Sequence, residues 1–242
     1  MSRGDTMSSP PDDVDLSRAW IGVAAQVWRR QPGRLERAAA RLLRSPGLAR
    51  ALLTTPSLLL PWLIASVVVL AAGAAATLGS GQPVTALLAP AVAAAAIAYS
   101  YGPGIDPAWE LACSMAVSVR MVLLARALAV FAVNALLGLA ASAASAASAS
   151  GAAAAVTFGW LVPMTAVCAF ALAVATVARS ANAGAAAGVA AWLIVVLSGQ
   201  VASGHFTAAV TDPVLFLPYL AIGAGCAAVA LYATRIPRGT SR

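Results

Sequence analysis

The stretch SYGPGIDPAWELACSMAVSVR, residues 100–120, is an island of turn residues and charge between two runs that are almost wholly apolar. Gly102, Pro103 and Gly104 end the run before it, because the glycines permit a tight turn and the proline has no amide to continue a helix. Asp106 stands where an N-cap is favoured, Pro107 at the first helical position, and Glu110 in the first turn, where a carboxylate opposes the helix dipole. The pattern predicts a short helix over 108–115, with Trp109 placed for a lipid interface. Reversing the chain needs only a tight turn. A whole helix at this place therefore reads as a docking element between two membrane spans.

The rest of the chain supplies the membrane. Of 242 residues 61% are hydrophobic and 10% charged, with a mean hydropathy of +0.87, too little polar material to cover a soluble domain of this size. A bilayer core of about 30 Å needs about 20 apolar residues per helix. Six stretches meet this, at 56–78, 84–101, 119–147, 152–178, 184–201 and 214–234. The expected class is all-α: a polytopic bundle of six transmembrane helices within residues 51–236, ending in a cytosolic tail at 237–242.

Charge placement orients the bundle. All 15 basic residues are arginine, and with both termini inside, the inner segments hold Arg120, Arg179, Arg235, Arg238 and Arg242, with Arg126 near the inner boundary. The three outer connections, near 79–83, 148–152 and 202–213, contain no arginine. Five or seven spans would put some arginines outside, so the bias predicts six, in a bacterial plasma membrane. The net charge of +7 thus reflects orientation and does not call for nucleic acid.

Residues 1–32 have no sustained apolar period apart from a short candidate helix at 16–27, and read as a flexible cytosolic segment. Arginines at 29, 30, 34, 37, 41, 44 and 50 precede the first apolar run, so that run is expected to stay in the membrane rather than serve as a cleaved signal. In residues 33–50, Arg34, Arg37, Arg41 and Arg44 recur at helical spacing while Leu35, Ala38, Ala39, Leu42 and Leu43 fill the other side. This predicts a basic amphipathic helix on the anionic inner surface. A solvated basic helix that only enforces topology is the plainer alternative.

Little in the chain suggests catalysis. His205 is the only histidine and falls in an outer loop, and Cys113, Cys168 and Cys226 have no C-x-x-C spacing. With no lysine there is no Walker A lysine, so nucleotide hydrolysis would have to come from another protein. No nucleophile–base or carboxylate pair lies within a span, and the span interiors hold only Asn134 and the inner-edge Arg126. No metal or other cofactor is implied. An arginine at a helix centre costs about 2.5–3.5 kcal/mol on the insertion scale, so Arg126 should either reach lipid phosphate or meet a carboxylate, of which Glu110 is nearest in sequence. Gly184 and Gly188 form a G-x-x-x-G, which suits either a dimer face or a contact inside the bundle.

At this point residues 101–142, the basic helix before the first span and the ARSANAG turn between the fourth and fifth together resemble a family, the ABC-2 type permease subunits of ABC transporters, in particular small actinobacterial six-span members. The resemblance covers roughly residues 33–238, and its most specific part is D-P-A-x-E-L followed by L-L-x-R. It implies an integral subunit that works as a homodimer or heterodimer with a separate ATPase. It implies a coupling helix at 106–118 that presents Asp106, Trp109, Glu110, Ser114 and Ser118, with Arg120 adjoining, to that ATPase. A second cytosolic contact would be at 179–184, with Arg179, Ser180 and Asn182. The outer loop between the last two spans is short, which departs from the family. The expected function is export of an apolar or amphipathic solute; the alternative is a membrane scaffold or sensor that docks a cytosolic regulatory protein and transports nothing.

Overall fold

The computed structural model describes residue 21 and residues 33–42, 56–101, 119–146 and 159–234. The chain divides into two compact units, residues 1–49 and 50–242. In the first, helix α1 spans Arg34–Leu42, and Arg34, Arg37 and Arg41 are exposed along it. Residue Arg44 and the rest of the predicted helix to 50 lie outside the described residues.

In the second unit all regular structure among the described residues is helical. Helices α2 (Pro56–Ser80), α3 (Val84–Ala98), α4 (Val119–Ala146), α5 (Leu161–Ala178), α6 (Ala181–Ser203) and α8 (Phe216–Ala233) are the long ones, with a single-turn α7 (Ala208–Thr211) between the last two. Six segments built on them are long and apolar enough to cross a membrane. Helices this apolar satisfy every backbone polar group within the span, which is the condition hydrocarbon imposes. The chain is accordingly a multi-pass membrane protein. The fourth helix starts at Leu161, later than the expected 152, and residues 152–158 lie outside those described. The fifth runs longer than expected at both ends, because Ser180 caps it at one and Gly204, at φ 75°, stops it at the other.

Short turns reverse the chain with specific chemistry. Between α2 and α3, Gly81 adopts φ 68°, and Thr77 Oγ1 accepts the Thr85 amide at 3.3 Å while donating to the Gly73 carbonyl at 2.8 Å. Between α5 and α6, Arg179 is the one described non-glycine residue at positive φ, 55°, and its amide bonds the Ala175 carbonyl. Ser180 follows in extended backbone, and its Oγ accepts the Ala183 amide at 3.2 Å, taking up one of the unpaired donors at the start of α6.

Helices α3 and α5 form the centre of the bundle and are the most buried spans. Helix α3 packs on α2, α4, α5 and α6, while α5 also carries α6 and α8. Small side chains make this possible. A Cβ on Gly184 would lie 2.6 Å from the Ala171 carbonyl oxygen and 2.6 Å from Ala175 Cβ, and one on Gly188 would lie 2.7 Å from Ala171 Cβ and 3.1 Å from Ala94 Cβ. Both glycines of the G-x-x-x-G therefore seat α6 against α5, and Gly188 also seats it against α3. Trp192 on α6, 1% exposed, donates Nε1–H to the Leu87 carbonyl at 2.7 Å, next to Ala86, whose carbonyl loses its usual helical donor because Pro90 has no amide. The apolar side chains of α2, α6 and α8 that face away from the centre, such as Val68, Ile194, Val201 and Leu217, are exposed and form the surface available to lipid.

Candidate functional site

Two regions of the second unit concentrate polar groups. The first is the end of the bundle where α3 and α5 finish and α4 and α6 start. Arg120, Arg126 and Arg179, the described arginines of this unit, all lie toward it, whereas Asp212 and His205 lie at the opposite end. Arg179 is exposed, and the left-handed turn it makes brings Ser180 and Asn182 into place at the start of α6. Tyr99, in the 3-10 turn Tyr99–Tyr101 that closes α3, donates its hydroxyl to Asn182 Oδ1 at 3.0 Å. This bond ties the last residues before segment 102–118 to the first turn of α6. Asp106, Trp109, Glu110, Ser114 and Ser118 lie outside the described residues, as does the Glu110–Arg126 contact expected from sequence.

The second region is the inward side of α4. Arg126, Val130, Asn134, Gly138 and Ser142 recur every four residues, and all are buried. Each four-residue step turns the direction by about 40°, so this buried stripe winds round α4 with a polar group at both ends and in the middle. Arg126 is 9% exposed, its side chain enclosed by protein rather than spread into lipid. Asn134 is 2% exposed; its Nδ2 donates to the Val130 carbonyl at 2.9 Å, and its Oδ1 has no hydrogen-bond partner among the described residues. Ser66 on α2 is equally buried, and its Oγ likewise has none there. Above Asn134, the fully buried Trp160 covers Gly138, where a Cβ would meet the indole at 2.5 Å.

A groove of about 410 Å³ runs between α2 and α4 on the neighbouring face. Its walls are apolar, from Val67 to Leu78 on α2 and from Leu137 to Ala144 on α4, and it opens sideways. At the far end the connection between α6 and α8 folds back on the bundle. Tyr219 of α8 donates its hydroxyl to the Ala209 carbonyl at 2.9 Å, and a Cβ on Gly159 would lie 2.7 Å from the Val210 carbonyl oxygen.

Sequence reasoning singled out Arg126, Arg179, Ser180 and Asn182 but not Tyr99, Ser66, Trp160 or Trp192. A tyrosine at the end of an apolar run is a general interface signal, and nothing in the pattern paired it with a residue 83 positions later. Among the described residues no group of three or more His, Cys, Asp or Glu side chains is placed to hold a metal ion. In comparisons with known proteins, no family, no curated protein and no solved structure matches this chain.

Proposed function

We propose that this chain is the membrane-spanning subunit of an ABC-type exporter, paired with a second permease subunit and driven by a separate ATPase docked at its arginine-bearing end. That end is taken as cytosolic from the positive-inside bias, with both termini on the same side. The solute is apolar or amphipathic. The observation that carries the reading is the Tyr99–Asn182 hydrogen bond, which joins the end of α3 to the start of α6 beside the exposed Arg179. Segment 102–118 continues directly from α3, so a push on that segment would act on the central helix and, through this bond and the short Arg179–Ser180 turn, on α6 and α5. The basic face of α1, with Arg34, Arg37 and Arg41 exposed, suits anionic headgroups.

The test is to co-express the chain with a candidate ATPase, one bearing a Walker A motif in an adjacent reading frame, purify the pair, and reconstitute it in vesicles. ATP hydrolysis should rise above that of the ATPase alone, and charge-reversing changes at Asp106 and Glu110 should abolish the rise. Weaker stimulation is expected from Asn182→Ala. Retention of a cytosolic regulatory protein with no stimulated hydrolysis would replace the transporter reading with a docking scaffold.

A further inference from the structure

Pro90 lies near the middle of the 15-residue helix α3, which nonetheless runs helical from Val84 to Ala98. A proline there removes the bond that residue 90 would give the Ala86 carbonyl and presses its ring on that oxygen, so the position is a natural place for the helix to bend. Its neighbours from 86 to 98 are alanine, leucine, valine and isoleucine, and none brings a polar side chain in exchange. Helix α6 crosses the break. In antiparallel order, Leu87 meets Trp192, Ala94 meets Gly188 and Tyr99 meets Asn182. The first and last of these are hydrogen bonds, of 2.7 Å and 3.0 Å, and they fall three residues before and nine residues after Pro90. Between them a Cβ on Gly188 would lie 3.1 Å from Ala94 Cβ, so the two helices touch with no room for a longer side chain. The stretch of α6 between its two bonding residues contains no proline and spans about 15 Å at 1.5 Å per residue. Helix α2, by contrast, bonds α3 at Thr85, on the near side of the proline.

We infer that α6 is a splint for α3, its two hydrogen bonds holding the halves of that helix at a fixed angle across a hinge at Pro90. Backbone groups freed by a proline inside a membrane span must find partners on neighbouring helices. The Trp192 indole supplies its N–H to the carbonyl beside the orphaned one, at the turn where bending would open the backbone. With Trp192 1% exposed, that bond is shielded from water, where a hydrogen bond is strongest. The Tyr99 hydroxyl holds the other half. Each bond alone fixes one side of the hinge, and the two together fix the angle. A load on the inner end of α3 then reaches Val84 through α6 without being taken up by bending in mid-membrane, and cutting either bond frees the turn at 86–90. The splint is a property of the fold and does not depend on the transport reading.

The experiment is backbone amide exchange on the whole chain in lipid nanodiscs, read by mass spectrometry with fragmentation that resolves the residues of α3. Trp192→Phe keeps the aromatic bulk and deletes the bond to Leu87, and exchange at 89 and 91–94 should speed up about fivefold, the factor that one hydrogen bond supplies. In the Pro90→Ala background the same change should act by less than about twofold, because a helix with its full set of backbone bonds needs no splint. Tyr99→Phe, which removes only the hydroxyl at an exposed position, should also speed exchange in the turn around Pro90, nine residues away. Equal acceleration by Trp192→Phe with and without Pro90 would make the bond ordinary packing and overturn the splint. Acceleration by Tyr99→Phe confined to the residues beside it would do the same, and this single variant decides the matter if Pro90→Ala/Trp192→Phe does not fold. Exchange is measured with neither ATPase nor ATP, so the splint can fail while ATPase stimulation is observed, and can hold where stimulation is absent.

Discussion

Replacing Gly184 by alanine puts the packing of α6 to a quantitative test. The added Cβ would stand 2.6 Å from the Ala171 carbonyl oxygen, 2.6 Å from Ala175 Cβ and 3.0 Å from Ala175 Cα. None of these is the far end of a flexible side chain. Carbon atoms rest about 3.5–4.0 Å apart, so α6 must withdraw from α5 by about 1 Å, and a gap of that size forfeits about a quarter to a half of the dispersion energy along the contact. Overpacking of this kind costs about 1–3 kcal/mol. Against it stands the gain in helix propensity on replacing glycine, about 1 kcal/mol. The net expectation is a loss of up to about 2 kcal/mol in unfolding free energy, followed by circular dichroism in mixed micelles as SDS is raised. Gly225→Ala is the internal control: nothing lies within 4 Å of its added Cβ, so propensity alone acts and stability should rise by about 0.5–1 kcal/mol. The intramolecular account is refuted if Gly184→Ala leaves unfolding unchanged while breaking a dimer into monomers.

The same assay checks the remaining contacts. Trp192→Phe keeps the aromatic bulk but deletes the 2.7 Å bond to the Leu87 carbonyl, and should cost about 1 kcal/mol. Trp160→Ala empties a site that is 0% exposed and should lower stability by about 3–5 kcal/mol, whereas Trp160→Phe should recover most of that loss. Ser180→Ala removes the cap at the start of α6 and should cost about 1 kcal/mol, with Ser180→Asp restoring the lost acceptor.

How far the residues announced their own arrangement varies with the range of the contact involved. The apolar lengths foretold six helices because the bilayer imposes one requirement on every span, and that requirement is local. Ser180 and Arg179 were legible as a turn for the same reason, since capping acts within four residues. The burial order was not. The second stretch is short and rich in alanine, yet α3 is the most buried; the longer α2, α6 and α8 are peripheral. In lipid, apolar character no longer tells inside from outside, so the residues that mark the centre are small ones such as Ala93, Ala94 and Ala171, which leave room for a neighbouring backbone. Asn134 stood out as a polar residue inside a span, but Ser66 did not, because serine is common in membrane helices and usually bonds its own backbone. That its hydroxyl has no partner among the described residues depends on what packs around it, which no local pattern encodes.

The same division of the bundle bears on how force would travel under the proposed function. Helices α3, α5 and α6 meet through glycine and alanine with almost no side-chain slack, and a contact without slack moves as a body. The Trp192–Leu87 bond and the Tyr99–Asn182 bond fasten α6 to α3 at two levels. Helix α2 touches this body through Gly73, where a Cβ would lie 3.1 Å from Leu88 Cδ1, the end of a side chain that can yield. A push at segment 102–118 would then rotate α3, α5 and α6 together and change their angle to α2. A cysteine pair locking α2 to α3 near Gly73 should therefore block transport while leaving ATPase docking intact. Transport surviving this lock would show that the moving boundary lies inside the three-helix core.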